Sequence, residues 1–307
     1  MVNIVNCYMS LLQKTMKLAG MRPKKLEIEP GTTIHFWVNS NKTKKKKNKK
    51  PLVLIHGFAG NGLITWSFQI LALRKKYDLY IPDLVFFGES YTTTKSTEVT
   101  PRFHADYFAK GLRKLGVEEK CVVIGFSYGG FVAFQMAEHH PDLVYSIVAI
   151  GTVSALSESL SRECSEQVGG RPWSEYLVPQ SAEDVKVLFD ISFHRLPRMP
   201  KFCYKHWLES MYDHRKEKVD LLEAALIKDE DVPNHQFKQK IHLLWGTEDR
   251  VFNLEVGIAQ KKKLGGTTEL QIITNAGHLV QLERPCAFNK CLKNILDSLA
   301  IDKRLTT

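Results

Sequence analysis

The chain has 307 residues, 44% hydrophobic and 25% charged. That suits one large α/β domain with an insertion, or two smaller domains, and no stretch reaches the roughly 18–20 apolar residues of a membrane-spanning helix. Net charge is +10, but Lys42, Lys44, Lys45, Lys46, Lys47, Lys49 and Lys50 supply seven charges and leave +3 elsewhere; no aromatic residue interleaves this run, so no nucleic-acid partner is expected.

Residues Ile4 to Ala19 have helical periodicity. Ile4, Val5, Tyr8, Met9, Leu11, Leu12, Met16, Leu18 and Ala19 fill one wide face at about 100° per residue, and Asn6, Ser10, Gln13, Lys14 and Lys17 fill the other. Gln13, Lys14 and Lys17 break the apolar run and no small-residue cleavage site follows, so this segment is not expected to be a signal peptide. The face suits a helix docked on the protein's own body, an amphipathic segment at a lipid surface or pocket mouth, or a targeting or disordered tail. Leu26–Ile28 and Thr33–Val38 flank Pro30-Gly31 as a hairpin. The run Asn41–Lys50 cannot pack and reads as a solvated connection, with an anionic membrane as the alternative contact for lysines 42–50.

The next segments alternate. Pro51–Ile55 is a continuous apolar run, as in a buried parallel strand, and runs into His56-Gly57-Phe58. A helix over Trp66–Lys75, a short strand at Leu79–Ile81, the turn Pro82-Asp83-Leu84 and a helix over Pro101–Leu115 follow. The apolar run Val122–Ile124 then ends in Gly125-Phe126-Ser127-Tyr128-Gly129-Gly130, with a helical pattern from Phe131 to His140 at once after it. Glycine at 125 and 129 fits a sharp turn that brings strand and helix backbones together and lifts Ser127 to its apex. Ser146–Ile150 is the next strand, closed by Gly151-Thr152.

From Val153 to Gln239 only helical patterns occur, broken at Pro172, Pro179, Pro197, Pro200 and Pro233 and rich in aromatics. This is a helical insertion, too long for a loop. Strands resume at Ile241–Trp245, leading to Gly246-Thr247-Glu248-Asp249, and at Glu269–Ile273, leading to Asn275-Ala276-Gly277-His278. Helices over Leu254–Leu264 and Ala287–Ala300 complete the chain. The expected division is an N-terminal helix (1–22), a mainly parallel α/β core in two parts (23–152 and 240–307), and the insertion (153–239).

In an open parallel sheet, groups at the carboxyl ends of strands converge. Ser127 needs a base within hydrogen-bond reach to act as a nucleophile. Among eleven histidines, His278 has the context for it, in a Gly-bearing loop just after a strand. Asp249 would accept from the other imidazole nitrogen and fix the tautomer, with Glu248 as a neighbouring competitor for that role. The six scattered cysteines form no Cys-x-x-Cys pair, which fits a reduced, intracellular protein without a disulfide framework. No metal or cofactor is expected, and the expected location is cytoplasmic, with peripheral membrane contact through residues 1–20 as an option.

With His56-Gly57-Phe58, Pro82-Asp83-Leu84, Gly88-Glu89-Ser90, Gly125–Gly130, Trp245–Asp249 and Ala276–His278 in place, the chain from about residue 25 to 300 resembles serine hydrolases of the α/β-hydrolase superfamily. More narrowly, Phe86–Ser90 and His278–Pro285 resemble a plant subgroup similar to meta-cleavage-product hydrolases and monoacylglycerol lipases. The resemblance implies a mostly parallel eight-stranded sheet, a triad of Ser127, Asp249 and His278, and an oxyanion hole from the backbone N–H groups of Phe58 and Tyr128. It makes His56 and Asp83 structural residues. It makes the insertion a lid, with some of its aromatics facing an apolar pocket. A serine nucleophile points to acyl transfer and to a carboxylesterase or lipase-like reaction on a hydrophobic ester. A C–C bond hydrolase, with Arg195 or Arg198 binding a carboxylate, and an acyltransferase are the alternatives. Outside enzymes, the alternatives are a small-molecule receptor that keeps the triad and a membrane-tethered scaffold.

Overall fold

The computed structural model describes residues 2–40, 49–234, 236–266 and 268–305, with side chains as far as residue 300. The N-terminal helix α1 (Ile4–Leu18) leads directly into the hairpin β1 (Met21–Glu29) and β2 (Thr32–Asn39). β1 therefore begins inside the segment expected to belong to the helix. Met21 is fully buried and pairs with Asn39, while Lys24 and Lys25 point to solvent, and charges on an edge strand mask its strand character in the sequence. Residues 41–48, which carry Lys42 to Lys47, lie outside the described residues; Lys49 Nζ donates to the Arg74 carbonyl (2.9 Å).

The core continues through β3 (Pro51–Ile55), α2 (Gly62–Leu73), β4 (Asp78–Pro82), the two-residue β5 (Tyr91–Thr92), α3 (Pro101–Lys114), β6 (Cys121–Phe126), α4 (Tyr128–His139) and β7 (Val144–Ile150). α2 starts four residues before the expected Trp66, because Asn61 caps it by accepting from the Ile64 N–H (3.0 Å). The insertion holds β8 (Leu156–Ser157), α5 (Glu158–Glu166), α6 (Trp173–Leu177), α7 (Ala182–Ser192), α8 (Lys201–Met211), α9 (Arg215–Glu223) and β9 (Leu226–Ile227). β8 and β9 pair in parallel, a two-residue contact between its ends that no periodicity announces. The chain closes with β10 (Lys240–Gly246), α10 (Leu254–Leu264), β11 (Glu269–Ile273), α11 (Val280–Glu283) and α12 (Pro285–Leu305).

The main sheet runs β1-β2-β4-β3-β6-β7-β10-β11, with β5 added beside β2. It is mixed: the pairs from β4 to β11 are parallel, and β2 is antiparallel to both β1 and β4. Every residue of β3 and β6 is buried, as expected of central strands covered on both faces. Phe108 of α3 with Val132 and Phe134 of α4 close one face. Met16 of α1, Trp66 and Ile70 of α2 and Phe288 and Leu292 of α12 close the other. All parallel strands deliver their carboxyl ends to one edge, and the insertion lies over that edge through its own apolar cluster, which touches Phe58 and Ala59. Among the described residues, no helix is long and apolar enough to cross a membrane.

Candidate active site

Ser127 stands between β6 and α4 with φ 52° and ψ −123°, a backbone region that L-residues with side chains rarely occupy. The turn is held by close backbone packing. A Cβ on Gly125 would lie 2.4 Å from the Gly129 carbonyl oxygen, and one on Gly129 would lie 2.4 Å from that of His56. The glycines expected at this elbow are thus required by space. Ser127 N–H donates to Ile150 O (2.9 Å) and Gly130 N–H to Ser127 O (2.7 Å), which pins the strained residue from both sides.

His278 and Asp249 meet beside it. His278 Nδ1–H donates to Asp249 Oδ2 (2.8 Å), and both residues are buried. A carboxylate only accepts, so this contact places the proton on Nδ1 and leaves the Nε2 lone pair free to take a proton. Asp249 Oδ1 accepts from the backbone N–H groups of Val251 and Phe252, each at 2.9 Å, so the carboxylate cannot rotate away. Glu248, the neighbouring competitor, instead turns outward, 44% exposed and 3.9 Å from His194. Ser127 Oγ makes no hydrogen bond among the described residues. Ser127 and His278 line one cavity, and the imidazole lies against the Phe126 ring with centroids 4.9 Å apart.

The Phe58 loop borders the same cavity. His56 is fully buried, donates from Nδ1 to Gly57 O (2.7 Å) and accepts at Nε2 from Leu84 N–H (2.9 Å). Burial pushes its pKa down, so it stays neutral and holds the loop. Asp83 accepts from His35 Nδ1 (2.7 Å) and from Gly62 N–H (2.8 Å), tying β2, β4 and the start of α2 together. Gly57 does not need a left-handed backbone. It is small because a Cβ there would lie 2.8 Å from the Phe126 ring and 3.0 Å from Ser127 Cβ. The left-handed residue of this loop is Ala59 (φ 66°), which also lines the cavity. The backbone N–H groups of Phe58 and Tyr128 have no acceptor among the described residues. Tyr128 N–H opens α4, where helix-terminal donors face outward.

The cavity measures about 240 Å³. Its core wall comes from Phe58, Ile64, Thr65 and Phe68. Its roof comes from Leu188, Phe189, Phe193, Leu196, Met199 and Trp207 of the insertion, and Tyr8 of α1 joins the rim. Of the insertion's aromatics, Phe189, Phe193 and Trp207 therefore face the cavity, whereas Tyr176, Tyr204 and Tyr212 are buried in packing away from it. Arg195 and Arg198 do not line it; Arg198 borders a separate open groove with Lys186 and Tyr204.

Two further residues belong to the site. Glu283 accepts from Gly277 N–H (2.8 Å), just before His278, and from the insertion's His194 N–H (3.1 Å) and Arg195 N–H (2.7 Å). Leu279 N–H donates to Ser192 O (3.1 Å), so the histidine loop is stitched to the end of α7. Gly151, at the carboxyl end of β7 with φ 50°, faces the acid–base pair. A Cβ there would lie 3.0 Å from His278 Nδ1 and 3.1 Å from Asp249 Oδ2. The sequence signals for these two are a carboxylate five residues beyond the base and a glycine closing a strand, neither of which names a partner.

Residues 50–195 match the family model described as alpha/beta hydrolase fold. The chain is 24% identical to Lipase 3 of a Moraxella species over 288 residues, covering 91% of this chain and 86% of the lipase. A membrane phospholipase A structure, described as a bacterial virulence factor, superposes with a TM-score of 0.76 at 22% identity, covering 95% of this chain and 92% of that one. The 2-hydroxy-6-oxo-6-phenylhexa-2,4-dienoate hydrolase of a Rhodococcus strain gives 0.73 at 19% identity, covering 89% and 98%. These matches do not single out the plant subgroup that the motif resemblance implies. With the sheet order and the serine elbow, they show that this chain has the α/β-hydrolase fold.

Proposed function

We propose that the protein is a serine hydrolase that cleaves the carboxylic ester of a hydrophobic, lipid-like substrate. The observation that carries this reading is a strained Ser127 sharing one apolar cavity with an imidazole already oriented by Asp249. In this mechanism Ser127 Oγ attacks the ester carbonyl carbon as His278 Nε2 takes the hydroxyl proton. The carbonyl oxygen, now an oxyanion, accepts from the Phe58 and Tyr128 N–H groups, donors typically worth about 3–4 kcal/mol each in the transition state. Asp249 stabilises the imidazolium. His278 returns the proton to the leaving alcohol oxygen as the C–O bond breaks. Water then attacks the acyl-Ser127 carbon as His278 takes its proton, and on collapse His278 returns that proton to Ser127 Oγ as the acyl C–O bond breaks, releasing the acid and regenerating the serine.

Support for a hydrophobic ester comes from the cavity's apolar roof and from the lipase among the relatives. The cavity is smaller than the roughly 300–1,000 Å³ of typical ligand sites. A long acyl chain therefore requires the insertion to act as a lid and move outward. With Arg195 and Arg198 away from the cavity, no lysine or arginine lines it among the described residues, which weighs against the C–C hydrolase alternative. The reading includes a cytoplasmic protein with peripheral membrane contact through residues 1–20.

The test is turnover of p-nitrophenyl esters of graded chain length, with fluorophosphonate labelling in parallel. Wild type should turn over repeatedly and label, and Ser127→Ala and His278→Ala should lose both. A single burst followed by near-zero turnover would favour a receptor. Full activity in Ser127→Ala would refute the mechanism.

A further inference from the structure

The face expected on α1 from its periodicity is split in two by the structure. Val5, Leu12 and Met16 turn inward, and Leu12 and Met16 join the core cluster under α2 and α12. Ile4, Tyr8, Leu11 and Leu18 remain exposed, Leu11 at 64% and Leu18 at 90%. At 100° per residue these four fall within about 80° of arc, centred roughly 100° round the helix from the buried stripe. Thr15 lies in the same arc, and its hydroxyl is turned back to Leu11 O (2.9 Å). The exposed residues therefore form a second continuous apolar stripe about 21 Å long.

This stripe is fixed in place. Asn3 caps α1 and donates to His206 O (3.3 Å), Ile4 N–H donates to His206 Nδ1 (3.4 Å), and Ser210 Oγ donates to Asn3 Oδ1 (3.2 Å), so the helix start is bolted to α8. On the neighbouring α2, Phe68 and Leu71 are also exposed, one turn apart. Tyr8 and Phe68 each belong to the exposed surface and to the wall of the cavity that holds Ser127. Isolated exposed apolar residues are ordinary, but a stripe continuous with a reactive cavity is not.

Charge selects the occupant. α1 contains Lys14 and Lys17 and no carboxylate, and Arg22, Lys24 and Lys25 follow before the first acidic residue, Glu27. Arg22 donates to Lys17 O (2.8 Å) at the helix end. Lys25 is paired with Glu89 (2.7 Å), and Glu209 stands only at the far end, against Asn3 (3.2 Å). An apolar stripe flanked by cations suits a surface that is anionic at the headgroups and apolar beneath.

We propose that the exposed stripe of α1, with Phe68 and Leu71 of α2, is the surface by which the protein rests on an anionic lipid bilayer. There Tyr8 and Phe68 mark the passage from the bilayer into the Ser127 cavity. This deepens the lipid-ester reading by naming how such a substrate arrives, and its chemistry rests on that reading. The membrane contact uses described residues alone and does not depend on lysines 42–47.

The experiment is co-sedimentation of the full chain with phosphatidylcholine vesicles, with and without phosphatidylserine, at low and high salt. Wild type should pellet with the phosphatidylserine vesicles and be released by salt. Leu11→Ser with Leu18→Ser, at positions outside the cavity, should lower the vesicle partition coefficient roughly tenfold or more. That variant should keep wild-type turnover of a soluble p-nitrophenyl ester. Lys14→Glu with Lys17→Glu should weaken only the anionic-vesicle binding. Wild type that stays in the supernatant with both vesicle types, or a serine variant that pellets like wild type, overturns the proposal. So does a concentration-dependent dimer in sedimentation velocity that the serine variant abolishes, since the stripe would then be covered by a second copy. Vesicle binding without any ester turnover would uphold the surface and overturn the esterase reading separately.

Discussion

Glu283→Gln is the sharpest test of how the insertion and the chemistry are connected. Glu283 Oε2 accepts from Gly277 and His194, and Oε1 accepts from Arg195. An amide has one acceptor oxygen, so at least one of these N–H groups would face an NH₂ group, donor against donor. The remaining bonds would lose their charge assistance. A hydrogen bond to a charged group contributes about 1.5–3 kcal/mol, so a net cost of about 2–3 kcal/mol is expected. Gly277 immediately precedes His278, so part of this cost should appear as displacement of the base. If all of it fell on the transition state, kcat would drop about 30- to 150-fold. The assay is kcat and KM on a soluble p-nitrophenyl ester, together with the thermal midpoint. Loss should fall on kcat, with KM nearly unchanged, because the substrate's apolar contacts stay in place. Glu283→Asp should not rescue, since a side chain one methylene shorter cannot reach both the histidine loop and the insertion. A lowered thermal midpoint with wild-type kcat would refute the positioning role and leave Glu283 as a packing residue.

Gly151→Ala should reduce kcat at least about tenfold. The residue is left-handed (φ 50°), which costs a side-chain-bearing residue about 1–2 kcal/mol, and its Cβ would press on His278 Nδ1 and Asp249 Oδ2; unchanged steady-state kinetics would sink this account of the glycine. Stability should also fall as pH falls from 7 towards 4. His104 is fully buried, accepts from Val85 N–H (3.1 Å), and has its pKa pushed down to about 3 by burial. Below its ordinary value near 6.5 the unfolded chain binds a proton that the folded chain refuses until about pH 3, so up to about 1.4 kcal/mol per pH unit is lost across that window. His56, also lowered by burial, acts in the same direction. Thermal midpoints measured from pH 7 to 4 should show the slope, with a shallower one in His104→Asn; a flat wild-type profile would contradict it.

The candidate catalytic residues were legible in the sequence for a physical reason. Each is positioned by short-range backbone events, and such events leave local marks. An apolar run that must be buried on both faces ends where the sheet ends, so the next residues fall at the sheet's edge. At β6 that residue is Ser127, at β10 Asp249 follows within a tight turn, and at β11 His278 does. Glycines 125 and 129 mark the elbow because two backbones approach there. By contrast, Glu283, Gly151 and Ser192 act through partners more than 80 residues away in sequence or through space across the sheet edge. Nothing in a local window distinguishes a carboxylate that accepts from three backbone N–H groups from one that sits in solvent.

The N-terminal helix shows the same limit in a different form. Its periodicity groups Ile4, Val5, Tyr8, Met9, Leu11, Leu12, Met16, Leu18 and Ala19 on one side, within about 180° at 100° per residue. What periodicity cannot specify is how much of an apolar side the rest of the protein will cover. Coverage depends on where α8 and α2 stand, and α8 belongs to an insertion whose packing is set by contacts such as Phe189 with Trp207 (centroids 5.2 Å) and Lys218 Nζ with Met211 O (2.9 Å) and with Asp213 (2.8 Å). Lys218 is almost fully buried, and its ammonium also lies 4.6 Å over the Phe87 ring, which packs edge-on against Phe58 (4.9 Å). The insertion is thus anchored at the Phe58 loop by Lys218, at the histidine loop by Glu283, and at α1 by His206. Each of these three anchors adjoins a group that the proposed chemistry or the proposed docking uses, so an outward movement of α7, α8 and α9 as one body would loosen all three.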